Sequence, residues 1–183
     1  TDAKVQGNNA IAFGNGAKAT YDDAYAIGRK AEATAQNTVA IGNNASASAY
    51  TATALGTNAA ASGQKAIAIS AGPNSTTATE LAAIAIGSDS KALGNSSLAI
   101  GDSANAIQEN AIAVGRNSNA SNIGATAIGN NAKANNIMGT AIGYNAKAKN
   151  DYATAVGYSS TGSGNQSSAF GFNAEATAMN TTA

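Results

Sequence analysis

The chain has 183 residues, no Cys, His or Trp and a single Pro, and its 10 Lys and Arg balance its 10 Asp and Glu to a formal net charge of zero. Without Cys there is no disulfide framework and no thiolate metal site, and without His or Cys no Ser-His-Asp or Cys-His nucleophile can be assembled. The even charge argues against nucleic acid or an anionic membrane as a partner, because both call for clustered Lys and Arg.

A hydrophobic fraction of 44% is mostly Ala, and aromatics contribute 5%. So little bulk cannot fill a conventional globular core of this length, but it suits a thin fold in which each coil stacks on its neighbour. The sequence carries such a repeat. The tripeptide Ala-(bulky apolar)-Gly opens at Ala12-Phe13-Gly14 and recurs at Ala26-Ile27-Gly28, Ala40-Ile41-Gly42 and Ala54-Leu55-Gly56. Ala68-Ile69-Ser70 follows with Ser for Gly, then Ala85-Ile86-Gly87, and the series continues through Gly101, Gly115, Gly129, Gly143 and Gly157 to Gly171. Each step is 14 residues except the step of 17 from Ser70 to Gly87, which gives twelve copies.

Fourteen residues are too few for a helical hairpin, and an apolar spacing of two fits strands. The first strand of a copy ends at the bulky residue before Gly. Small residues stand two and four before Gly, and mostly Ile, Val, Leu, Tyr or Thr three before it. A strand restricted on both faces is buried on both. One face therefore packs inside its own coil and the other meets a partner chain. Asn-rich pairs such as Asn15-Gly16, Asn43-Asn44 and Asn130-Asn131 make the turn. A second strand follows, as in Ala17-Lys18-Ala19, Ala31-Glu32-Ala33, Ala132-Lys133-Ala134 and Ala146-Lys147-Ala148, small inside and polar outside. A variable return loop closes the copy. The segment 71–83 holds the one insertion, where Gly72-Pro73-Asn74-Ser75 is expected to interrupt the ladder.

Several copies resemble the degenerate N-S-V-A-I-G-x-x-S motif of YadA-type trimeric autotransporter adhesin heads. Asn37-Thr38-Val39-Ala40-Ile41-Gly42, Ser96-Ser97-Leu98-Ala99-Ile100-Gly101 and the stretch from Asn110 through Gly115 to Ser118 carry it. The resemblance implies a left-handed parallel β-roll, homotrimeric, as a single head domain over 1–183. It also implies display outside a bacterial outer membrane, with no cofactor and no catalysis. The implied function is attachment to a host matrix protein such as collagen, fibronectin or laminin, or to a host cell surface. The other reading is a structural spacer or fibre segment of a surface appendage or phage, with ligand binding elsewhere.

Residue assignments follow. The small column Ala12, Ala26, Ala40, Ala99, Ala113, Ala127 and Ala141 is expected at the trimer interface, because Ala lets sheets approach closely. The bulky column Ile27, Ile41, Ile86, Ile100, Val114, Ile128 and Ile142 is expected in the roll core; the pattern also allows the reverse. Ligand-binding candidates are Asn110 and Ser118 of the motif copy, together with Tyr144, Tyr158 and Phe172, which follow Gly in three consecutive coils. Their rings could serve mutual packing or form a platform for sugar or protein. Thr126, Thr140 and Thr154 read as a buried column that tolerates Thr rather than an ice-binding array. Lys18, Lys91, Lys133 and Lys147 share the outward position of the second strand with Glu32 and Glu175, which reads as a solvated face of mixed sign rather than a polyanion site.

Overall fold

The computed structural model describes residues 2–70 and 72–183 and is all-β, with no helix among the described residues. It forms two compact units, 1–92 and 93–183. Each unit is a parallel β-solenoid with two short strands per coil. In the first unit the three-residue first strands run from Ile11–Phe13 to Ile84–Ile86, and the second strands from Lys4–Val5 to Lys91–Ala92. In the second unit they run from Leu98–Ile100 to Ser168–Phe170 and from Asn105–Ala106 to Glu175–Ala176. First strands pair with first strands and second with second. The partners lie one copy apart, as in Ile112↔Thr126 and Lys133↔Lys147.

Two tight turns close each coil. In the first, the residue three after the repeat Gly donates its amide back to the Gly carbonyl, as Ala31 N–H does to Gly28 O at 3.3 Å. In the second, Ala125 N–H donates to Asn122 O at 3.1 Å. The third residue of each turn is left-handed, as at Asn44 (φ 59°) and Asn117 (φ 55°), a conformation that Asn adopts at low cost. The repeat Gly meets a stricter demand. Gly115 has φ 124°, and a Cβ there would lie 2.7 Å from the carbonyl carbon and oxygen of Gly129 in the next coil. Both the backbone angle and the close approach exclude a side chain.

At Ser70, where the repeat lacks its Gly, the chain does not share that positive φ, and three extra residues enlarge the turn before Thr76–Ala78. Ser70 Oγ donates to the carbonyls of Gly72 and Asn74 at 2.9 and 3.3 Å, organising the longer loop. The expected interruption of the ladder does not occur. Ile67 pairs with Ile84, and Thr76 with Ala59, both across the 17-residue step, because the extra residues bulge from the turn and leave the strands in register.

The interior reverses the expected faces. In the coil around Gly115 the inward residues are Ala111, Ala113, Ser118 and Ala120, all with no exposed surface. The same four positions hold Ala, Ser, Thr or Gly in every coil. Ala26, Ala40, Ala99, Ala113, Ala127 and Ala141 are fully buried within their own chain, and Ala12 is partly covered, so this column is core rather than trimer interface. Ile27, Ile86, Ile100 and Val114 are half-buried and Ile41, Ile128 and Ile142 exposed, so this column is outer surface rather than core. Thr126, Thr140 and Thr154 share that outward sheet and are half-buried rather than buried.

The reason is width. A Cβ on inward Gly139 would stand 3.4 Å from the Ala148 methyl and 3.9 Å from the Ala134 methyl on the facing strands. The gap between the two sheets is filled by methyl groups, well short of the usual spacing of about 10 Å between packed sheets. Inward hydroxyls are closed by the turn backbone, Ser97 Oγ by accepting from the Gly94 amide at 3.2 Å and most others by donating to a turn carbonyl. Thr38 Oγ1 donates to Ala35 O at 2.6 Å, Ser118 Oγ to Gly115 O at 2.8 Å and Ser167 Oγ to Gly164 O at 2.7 Å.

The repeat Gly and the left-handed Asn two residues later should respond oppositely to substitution. Gly115→Val should lower stability by at least about 2 kcal/mol per chain through strain and collision. Asn117→Gly, in a conformation Gly adopts freely, should change it by less than about 0.5 kcal/mol. Thermal unfolding followed by circular dichroism reads both; equal melting temperatures would contradict the turn geometry.

Candidate functional site

The outward residues of the first strands form a continuous uncharged face in each unit. In the first unit it carries Ile41, Leu55, Ile67, Ile69, Ile84 and Ile86, with Ile41 40% exposed. In the second it carries Leu98, Ile100, Ile112, Val114, Ile128 and Ile142 before ending at Phe170, 56% exposed. No Asp, Glu, Lys or Arg occupies an outward first-strand position in any copy. The outward positions of the second strands, by contrast, hold Lys18, Glu32, Lys91, Lys133, Lys147 and Glu175. A solvated strand normally alternates apolar with polar. Here the apolar bulk faces outward because the narrow interior cannot take it, with Thr126, Thr140, Thr154 and Ser168 interspersed in the second unit.

The ligand-binding candidates fare differently. Ser118 is wholly interior, its hydroxyl donated to Gly115 O, so no ligand can reach it. Asn110 is exposed at the tip of the second turn, where it is the left-handed residue (φ 58°). Tyr144, Tyr158 and Phe172 form a stacked ladder with ring centroids 5.1 and 5.2 Å apart and interplanar angles of 15° and 13°. The stack spans three coils and stays open to solvent, with Phe172 73% exposed. The rings pack on one another and present an aromatic edge outward; the two sequence readings are compatible.

One further apolar edge escaped the repeat-by-repeat reading. In the second unit the tips of the second turns carry Ile123, Ile137, Met138 and Tyr152, all exposed. Met138 (φ 53°) and Tyr152 (φ 59°) occupy the left-handed position usually given to Asn or Gly. The signal was present once the copies were aligned: bulky residues at a turn position where they gain no burial and bear backbone strain.

Interrupting the ladder at its middle ring should have a measurable, limited effect. Tyr158→Leu keeps apolar bulk but removes two stacked pairs, and should lower stability by roughly 1–2 kcal/mol per chain. Its near-ultraviolet circular dichroism should lose most of the tyrosine signal. An unchanged denaturation midpoint and spectrum would show that the rings do not couple.

No curated protein matches the chain. The family described as YadA head domain repeat (2 copies) matches residues 1–20, 22–45, 47–69, 78–104, 106–132, 134–160 and 163–183. Most matched segments span close to two coils, in keeping with a two-copy unit, and the gap at 70–77 falls on the enlarged turn after Ser70. With the parallel solenoid, the repeat Gly at each first turn and the family match over nearly the whole length, the chain belongs to the YadA head domain repeat family.

Proposed function

We propose that this chain is the head segment of a trimeric surface adhesin, in which three copies pack through the outward faces of their first strands. The assembled head attaches a bacterium to host matrix or to host cells beyond its outer membrane. Membership of an adhesin-type family supports the class of function. The observation that carries the assembly is the uncharged outward face of each unit, with Ile100, Ile112 and Val114 at its centre in the second. Large aliphatic side chains left in water forfeit on the order of 1.5–3 kcal/mol each relative to burial. A neighbouring copy presents the same apolar face and can cover it. Three-fold packing also leaves the charged second strands, the Tyr144–Tyr158–Phe172 edge and the turn tips on the outside, where a host ligand would meet them.

The assembly is tested by sedimentation. The native protein should sediment as a trimer at micromolar concentration. Ile100→Asp with Ile112→Asp should give monomers that keep the far-ultraviolet spectrum of the solenoid, since neither side chain lies inside the coil. A native monomer at that concentration would contradict the proposed packing. Attachment is tested separately by binding of the purified trimer to immobilised collagen, fibronectin and laminin and to cultured cells. Binding to any of these supports the adhesin, and binding to none contradicts it.

A further inference from the structure

The second strands distribute charge differently in the two units. In the first unit two of the outward Lys residues are locally neutralised, while Lys4, in register with Lys18 at the first coil, has no carboxylate at salt-bridge distance among the described residues. Lys18 Nζ lies 2.6 Å from Glu32 Oε1 in the next coil, and Lys91 Nζ lies 3.3 Å from Asp89 Oδ1. In the second unit the same outward column reads Asn105, Asn119, Lys133, Lys147, Thr161 and Glu175. Lys133 and Lys147 stand in register on adjacent parallel strands, about 4.8 Å apart along the stack. Lys149 follows two residues on from Lys147, just past the end of the strand Lys147–Ala148.

None of these three Lys has a carboxylate at salt-bridge distance among the described residues. Glu175 lies two coils beyond Lys147, with Thr161 between them. The Asp151 carboxylate is engaged, accepting from the Ile137 amide at 3.1 Å. The mixed-sign face expected from the whole column therefore holds where Lys18 meets Glu32 and Lys91 meets Asp89, and gives way in the second unit to a local cluster of one sign. Like charges directly opposite on neighbouring strands are destabilising. Nothing in the fold requires Lys there, since the same column holds Asn, Ser, Ala and Thr in other coils.

The cluster lines a shallow groove of about 310 Å³ formed by Lys133, Asn135, Asn136, Lys147, Ala148 and Lys149. Asn136 Nδ2 donates to the Lys149 carbonyl, fixing one wall, and the Ser121 hydroxyl meets Asn135 Oδ1 at 3.3 Å beside it. From this geometry we propose that the groove binds a linear anionic polysaccharide bearing sulfate or carboxylate groups, lying along the stack of coils. Three ammonium groups provide point charges for the anions, and the Asn135 and Asn136 amides suit sugar hydroxyls. An anionic bilayer calls for a flat set of four to eight basic residues. A nucleic-acid duplex is held by a larger set of phosphate contacts than three Lys in a chain of zero net charge can supply.

The proposal names a ligand class for the adhesin reading and rests on it for where such a polymer is met, but its test is independent of cell attachment. The purified protein should be retained on immobilised heparin and released by salt, because contacts of this kind weaken steeply as ionic strength rises. The triple variant Lys133→Gln, Lys147→Gln, Lys149→Gln should lose affinity by at least about tenfold near physiological salt. Lys18→Gln with Lys91→Gln should bind as the native protein does, and all forms should melt alike. The proposal is overturned if native protein ignores heparin, or if the triple variant binds it undiminished. It is equally overturned if duplex DNA or phosphatidylserine vesicles are bound as well as heparin. Cell attachment without heparin binding would sink the groove and leave the adhesin; heparin binding without attachment to cells or matrix proteins would do the reverse.

Discussion

Within each unit the coils are closed by turns with two central residues, save the enlarged turn after Ser70, and that sets how far apart the two strands of a coil can stand. Between them there is room for methyl groups and little else, as the 3.4 Å approach of a Cβ at Gly139 to the Ala148 methyl shows. Everything else about the sequence answers to this width. The four inward positions are confined to Ala, Ser, Thr and Gly, and the buried hydroxyls fold back onto the turn backbone. The repeat Gly is required where successive turns approach closely. Each Ala contributes little hydrophobic stabilisation on its own. The solenoid gains through number: many small buried side chains, continuous ladders of parallel pairing, and columns of like residues one coil apart such as Asn44 Nδ2 to Asn58 Oδ1 at 3.0 Å.

The same constraint displaces bulk to the outside. In an ordinary two-sheet protein the aliphatic residues would fill the interior and the exterior would be polar. Here Ile100, Ile112 and Val114 stand on the outer face of the first strands because the inside has no volume for them. Each unit of an isolated chain is thus left with a largely apolar outer face, and the proposed assembly rests on packing geometry rather than on any motif. The polar second strands leave the opposite wall free for contacts with a ligand, and the uneven placement of Lys along them makes one stretch of the second unit chemically unlike the rest.

Much of this was legible beforehand. The twelve copies, the two strands per coil, the Asn-rich turns and the single enlarged turn after Ser70 all follow from spacing and from what Gly and Asn permit in the backbone. The separation of each first strand into a small face and a bulky face was also visible. Which face points inward was not, because a three-residue strand with restricted residues on both sides is symmetric to a periodicity argument. The deciding clue lay in the second strand. Ala17 and Ala19 already showed the interior to be small on one wall, and tight turns at both ends leave the other wall no space for Ile. Ser118 looked like a motif residue available to a ligand, and its burial is a consequence of the same reversal. The segregation of Lys133, Lys147 and Lys149 became visible only when ion pairs were assigned coil by coil.

The central claim is that the coil is filled by methyl groups and sheds its bulk outward, and adjacent positions of one strand test it most directly. Ala113 faces the interior and Val114 faces out, in the same coil and one residue apart. Each replaced by Leu and melted under identical conditions, Ala113→Leu should unfold at a far lower temperature or fail to fold, since overpacking costs about 1–3 kcal/mol even in cores that can relax. Val114→Leu, on the outer face, should be clearly the milder of the two changes. The opposite order, with Ala113→Leu tolerated and Val114→Leu disruptive, would place the bulky column inside and contradict the account.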